Sequence, residues 1–293
     1  MPVYATTTAI GQREDLTDFI VNITPTETPI FSAARKVKAT GRRHDWQTDS
    51  LAAAASNVQT EGDDTTTFDT LAVTTLVSAY TQIMNKNFWV SHTLEAVSKA
   101  GRDSEYAYQA EKKMKELALD TEFNIIRQTS ASGSARQLTG VDAAITTNTS
   151  TAGSARDLLQ DLLESIMLTI YNSGGAPNVL TCAGFQKRQI SEGFTGPNNT
   201  QRVIALADKT LVNAVDYYKS SFGDLSVILD RHVPTDEVYL LEMAMWRIAT
   251  LRPTKHYPLP DDGGGPRGKI EHELCVEYGN EASSGKIEDL TTS

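Results

Sequence analysis

Few side chains in this sequence are spaced for chemistry, and the most suggestive run is Glu271-His272-Glu273. Two carboxylates flanking an imidazole have the donor types of a metal site. The run lies in KIEHELCVEY, which alternates. Ile270, His272, Leu274, Val276 and Tyr278 share one face of a strand, and Lys269, Glu271, Glu273, Cys275 and Glu277 share the other. Both acids therefore point away from the histidine, which reads as a polar group among apolar neighbours. His92 has no Cys or His at ligand spacing and reads as structural. Cys182 and Cys275 lie far apart, fit no ligand motif and read as buried free thiols. Gly263–Gly265 lacks the Lys-Ser/Thr ending and the strand-to-helix context of a phosphate loop. Lys112, Lys113 and Lys115 have acids beside them and read as a solvated helix face rather than a phosphate-facing patch. No nucleophile elbow, His-Glu-x-x-His, Cys-x-x-Cys or dinucleotide fingerprint occurs. No catalytic, cofactor-binding or metal residue is assigned. A carboxylate pair assembled only in three dimensions stays open at this stage.

What remains are charged and aromatic side chains placed for contact rather than reaction. Arg42, Arg43 and His44 stand beside Trp46 at the start of a polar, threonine-rich stretch. Glu61, Asp63 and Asp64 follow an alanine run at 52–55. An aromatic beside two guanidiniums at the base of an extended loop suits an anchor in a partner surface. The basic pair and the acid cluster can meet across a boundary between copies, or else are two solvated groups worth little. Upstream, Pro25 and Pro29 hold the chain extended, Ile30 and Phe31 are apolar anchors, and a short helix is expected from Ser32 through Lys36. That segment is either a strap over its own domain or an arm that reaches a neighbour.

These groups need elements to carry them. Phe68 to Met84 is rich in Thr, Val, Leu and Tyr, which favours strand, although its alternation is imperfect. Residues 41–84 therefore read as a long β-hairpin around a polar tip, marginal unless it packs on something else. Residues 85–102 read as a strand end turning into a short helix, with Phe88, Trp89 and Val90 as core. A long helix is predicted over 103–128, capped by Asp103 or Ser104, with Glu105 in its first turn. Ala107, Ala110, Met114, Leu117, Ala118, Thr121 and Ile125 give it one apolar face, and Glu111 pairs with Lys115 on the wet side. It would span about 39 Å. The Ser, Thr, Ala and Gly-rich 129–156 marks a surface excursion or a domain boundary.

A second helix is predicted over 157–172, stopped by Gly174–Gly175, then a buried strand in PNVLTCAG and a helix in FQKRQISEGF. GPNNTQRV is a loop, and VDYYKSSFGDLSVILD and EVYLLEMAMWRIATLR carry strand patterns. The fold class is α+β.

The 293 residues are 40% hydrophobic with 37 acidic against 27 basic side chains, a net charge of −10. Such a chain repels phosphate, which argues against sequence-specific DNA binding, and its charge favours a soluble free subunit. No apolar run approaches the roughly 20 residues that span a bilayer. The N-terminus lacks a basic start and apolar block, so intracellular synthesis is expected.

PTETPIFSAARK, HDWQTDSLA, NKNFWVSHTLEAVSKAGR and EYAYQAEKKMKELALDTEFNII, in that order, resemble the major head protein of a tailed-phage family with the Hong Kong 97-like capsid fold. The resemblance extends over nearly the whole chain and is strongest in 20–130. It implies an N-terminal arm (1–40), an extended loop over the neighbouring subunit (41–84), a peripheral domain with a spine helix (85–149, helix 103–128), an axial domain (150–250) and strands returning to the peripheral domain (251–293). It implies self-assembly as hexamers and pentamers into an icosahedral shell, made in the host cytoplasm, that encloses double-stranded DNA without reading it. Inter-subunit contacts are expected at Ile30, Phe31, Arg42, Arg43, Trp46, Glu61, Asp63 and Asp64. A portal, a decoration protein and a separate rather than fused scaffolding protein are the further partners. Some shells of this fold are closed by an isopeptide bond from a lysine in the extended loop. No lysine lies between Lys38 and Lys86, so a non-covalent shell is expected.

Two other classes fit the same residues. A decoration or tail protein would also be acidic and self-associating, and copy number in the particle separates it. A soluble two-domain α/β enzyme would be a small discrete oligomer with a shielded polar pocket.

Overall fold

A computed structural model of the protein describes residues 24–62, 64, 68–99, 101–193, 216–261 and 263–292. The expectations for residues 1–23, for Asp63 and for the loop at 196–203 fall outside them.

Pro29 opens the first described helix, α1 (Pro29–Ala33), where its missing N–H costs nothing. The helix expected from Ser32 to Lys36 is thus shifted, because the chain turns extended at Ala34 and enters β1 (Arg35–Lys38). β2 (Arg43–Thr48) and β3 (Thr75–Tyr80) pair antiparallel from Arg43↔Tyr80 to Thr48↔Thr75. Between them the described residues form no helix or strand, and Leu51, Val58, Phe68, Leu71 and Val73 are 83–97% exposed. The strand expected from Phe68 begins only at Thr75. β-prone side chains make a strand only where a partner offers backbone groups.

β4 (Gln82–Trp89), α2 (His92–Ala96) and α3 (Glu105–Arg127) follow. Then come α4 (Val141–Ala144), β5 (Thr149–Ser150), α5 (Gln160–Asn172), β6 (Val179–Cys182) and α6 (Gly184–Gly193). β7 (Tyr217–Ser220), β8 (Gly223–Leu229), β9 (Val238–Leu241), β10 (Trp246–Leu259), β11 (Arg267–Tyr278) and β12 (Gly285–Ile287) complete the chain. One sheet has the order β1-β10-β11-β4, and a second the order β5-β12-β9-β6-β8-β7. β1 runs parallel to β10, from Arg35↔Arg247 to Lys38↔Thr250. That partner lies some 200 residues downstream, which is why local pattern misplaced the end of α1.

The chain clusters into two compact units, and the divisions fall inside β4, α3, β10 and β11. In the first, built on Asn85–Leu117 and Lys255–Glu271, the Phe88 ring lies 5.0 Å from Tyr106 and 5.8 Å from His256. Tyr106 Oη and His256 Nε2 are 3.0 Å apart. Gly268 leaves the room for this cluster, since a Cβ there would stand 2.3 Å from the Phe88 ring. Ser104 caps α3 through the Ala107 N–H. Glu95, which the sequence did not single out, accepts the Glu105 and Tyr106 N–H groups.

The second unit holds Glu27–Met84, Ala118–Thr254 and His272–Ser293. Its core joins Leu163, Ile166, Met167 and Ile170 of α5 to Leu180, Val227, Val238, Leu240 and Ile287 of the six-stranded sheet. β6 is buried along its whole length, parallel to β8 and antiparallel to β9. α5 ends at Gly174, whose φ of 80° takes the left-handed conformation that suits glycine. Residues 129–156 are more than a surface excursion, since Leu138, Val141, Ala144 and Ile145 are buried. On α3, Leu117, Thr121 and Ile125 are buried as expected, whereas Met114 is 48% exposed and Ala107 and Ala118 are also exposed. Ile126 and Glu122 are buried instead.

Candidate functional site

The described residues most arranged for a task lie at the root of the β2–β3 hairpin, on β11. Alternation along KIEHELCVEY sends Glu273 and Glu277 to the face opposite His272. Both acids are buried, at 4% and 7% exposure. Glu273 Oε1 accepts Thr81 Oγ1 and Arg136 Nη2, each at 2.7 Å, and Oε2 accepts Arg252 Nε at 2.9 Å. Burial alone would raise this carboxyl, but the bonds from Thr81, Arg252 and Arg136 outweigh it and hold the group below its ordinary value. Thr81 N–H in turn donates to Arg42 O at 2.9 Å, and Arg136 Nε donates to Thr81 O at 3.1 Å. Glu277 takes Arg247 at 2.6 Å and faces His44 Nε2 at 2.9 Å. Two buried carboxylates and three arginines thus tie both strands of the hairpin to β11.

Trp46 packs edge-on against Tyr278, with ring centroids 5.1 Å apart, and 5.9 Å from His44. Its Nε1 is buried with no acceptor within the chain. Arg42 is exposed, and Arg43 pairs with Asp45 at 2.7 Å rather than with the acid cluster. Glu61 and Asp64 are exposed and make no ion pair among the described residues. Ile30 is 4% exposed and Phe31 is partly buried. Their N–H groups donate to Glu122 Oε1 at 2.6 Å and Oε2 at 2.9 Å. Desolvation, and then the neighbouring Asp230, push the Glu122 carboxyl up to about 8. The sequence singled out none of Glu122, Arg136, Arg247, Arg252, Glu273 or Glu277 for contact. The one available signal was acids on the covered face of an otherwise apolar strand.

The other polar groups have structural partners. His272 Nε2 lies 3.0 Å from Thr121 Oγ1 and Nδ1 3.2 Å from Thr254 Oγ1, and burial lowers its pKa to about 4. Cys182 and Cys275 are free and buried, each thiol pushed up to about 12 by desolvation. Among the described residues, Asp142, Glu237 and Glu288 are close enough to share a cation. The Lys286 ammonium already fills that role, 2.8 Å from Asp142 and 2.6 Å from Glu288. A cleft of about 440 Å³ beside the hairpin includes Thr48, Asp49, Tyr278 and Glu281. Glu281 there is engaged by the Thr146 and Thr147 N–H groups. No helix among the described residues is long and apolar enough to cross a membrane.

Solved structures share this architecture over its full length. The capsid of an empty GTA particle superposes with a TM-score of 0.70 at 11% identity, over 98% of each chain. The capsid of cyanophage A-1(L) gives 0.69 at 12%, over 99% of each. The chain is also 26% identical to the major capsid protein of Escherichia phage Phieco32, across 94% of both. An extended hairpin rooted on a sheet, a long helix and a separate α/β sheet define an α+β viral shell protein of the Hong Kong 97-like fold, structural rather than catalytic. Residues 3–291 match the family model described as SU10 major capsid protein, and the chain belongs to that family. It is a major capsid protein of a tailed phage, and its place is in the virion.

Proposed function

We propose that this subunit closes its icosahedral shell by non-covalent exchange of its N-terminal arm (1–40) and extended loop (41–84) with neighbouring copies. Residues 85–149 and 251–293 serve as the peripheral domain, and 150–250 as the axial domain that meets its copies in hexamers and pentamers. The observation that carries the reading is the stretch 49–74, which makes no strand pairing among its described residues and holds Leu51, Val58, Phe68, Leu71 and Val73 in solvent. Isolated apolar side chains are ordinary on a surface, but a run of them on an unsupported segment marks an interaction surface. Exposed Glu61 and Asp64, with Asp63 between them, supply the acidic tip, and exposed Arg42 and Arg43 offer its complement on another copy. Trp46 is the aromatic anchor at the base, with Ile30 and Phe31 anchoring the arm. A separate scaffolding protein, a portal and a decoration protein complete the head. The acidic chain encloses double-stranded DNA without gripping it.

Negative-stain microscopy of the purified chain, with size-exclusion chromatography alongside, tests this reading. Shells, tubes or five- and six-membered rings are expected, either alone or on co-expression with neighbouring phage proteins. A small discrete oligomer under both conditions refutes it.

A further inference from the structure

Helix α1 has no cap of its own, since Thr28 makes no side-chain bond to it. Its first free N–H groups, on Ile30 and Phe31, are met by the Glu122 carboxyl from α3. Glu122 is 0% exposed. Within hydrogen-bonding reach of it stands Asp230, 2% exposed, at the end of β8. Asp230 Oδ1 takes the His232 N–H at 2.8 Å, and its Oδ2 is buried without a donor. Two buried carboxylates side by side repel, and an orphaned oxygen adds a desolvation penalty. One proton held between them removes both problems.

We propose that Glu122 and Asp230 share a proton and form a latch that docks α1 on its own subunit and loosens as the pH rises. This goes beyond the shell reading and does not depend on it. Lys36 on β1 also faces the pair. Its ammonium bonds Phe31 O and lies 3.4 Å from the Phe31 ring centroid, where it attracts Glu122. Burial holds Lys36 below its ordinary value, so it offsets the acids only in part. From α3, Arg127 Nε donates to His232 O at 2.6 Å, and the His232 ring meets Phe123 edge-on at 6.4 Å. Arg231 is exposed, and α1 itself, PIFSA, carries no titratable side chain.

With α1 undocked, Glu122 returns towards its ordinary value of 4.5, whereas docked it holds its proton to about 8. Docking is therefore full below about 4.5, weakens by up to about tenfold per pH unit through that window, and levels off above it. Hydrogen exchange of the Ile30 and Phe31 amides in the whole soluble chain, normalised to intrinsic rates, reads this directly. The wild-type protection factor should fall several-fold per unit between pH 5 and pH 8. Glu122→Gln, whose amide accepts from α1 and donates to Asp230 at every pH, should give a flat profile. Asp230→Asn, which removes the second charge, should give a shallower one. A flat wild type, or the wild-type slope in whichever variant folds, overturns the latch.

Discussion

Glu273→Ala removes the acceptor of Thr81, Arg136 and Arg252 in one step. Deleting one partner of a fully buried pair costs about 3–5 kcal/mol, and losing an exposed pair costs about 0–1. The Arg136 side chain is 18% exposed and Arg252 is 41% exposed, so Arg252 recovers water while Arg136 and Thr81 do so less readily. The weighted cost is about 3 kcal/mol for alanine. Glu273→Gln keeps an acceptor for Thr81 and Arg136 but turns an amide donor towards Arg252, for about 1–2 kcal/mol. With a urea slope of about 2 kcal/mol/M, the alanine midpoint should drop by about 1–2 M and the glutamine midpoint by about half as much. Because Thr81 joins β3 to β4 and holds Arg42 O, the loss is concentrated at the hairpin root. Protease cleavage within 49–74 should therefore quicken, and the yield of closed particles should fall. An alanine variant with an unchanged midpoint and normal particle yield refutes the pinning argument.

Trp46→Ala loses the Tyr278 contact and should reduce assembly while circular dichroism shows a folded subunit; normal particles would refute the anchor. His272 is held neutral by burial, with its pKa near 4 against an ordinary 6.5. Stability is therefore full above pH 6.5 and falls by up to about 1.4 kcal/mol per unit down to pH 4, and His272→Gln should flatten that limb in denaturation series. Gly268→Ala drives a methyl into Phe88 and His256 and should cost about 2 kcal/mol or more, seen as a lower melting temperature and a changed Tyr106 environment. Mature particles should run as single chains on a denaturing gel, and a ladder of covalent multimers would refute the non-covalent shell.

Periodicity made the long elements legible. The helix expected at 103–128 is Glu105–Arg127, that expected at 157–172 is Gln160–Asn172, and PNVLTCAG holds β6. The misses share a cause. The end of α1, the onset of β3 and the burial of 129–156 depend on partners distant in sequence, and local propensity carries no signal of them. The hairpin root was half legible. Arg42, Arg43 and Trp46 stood out by type, but Glu273 and Glu277 read as ordinary strand acids until Arg136, Arg247 and Arg252 were placed over them. The α3 face was drawn too far towards its N-terminus because alanines at helical spacing count as apolar without being covered.

The unsupported stretch at 49–74 has a consequence for how mistakes are corrected during growth. Leu51, Phe68, Leu71 and Val73 together offer about 6–10 kcal/mol of burial if fully covered, and ordering a long segment consumes much of that. A single loop contact is therefore weak and short-lived. A subunit in its proper place both gives its loop and receives another, and the second contact forms at high effective concentration. One seated wrongly has a single contact and leaves. Weak individual grips, doubled only at correct positions, let a growing shell discard errors before it closes.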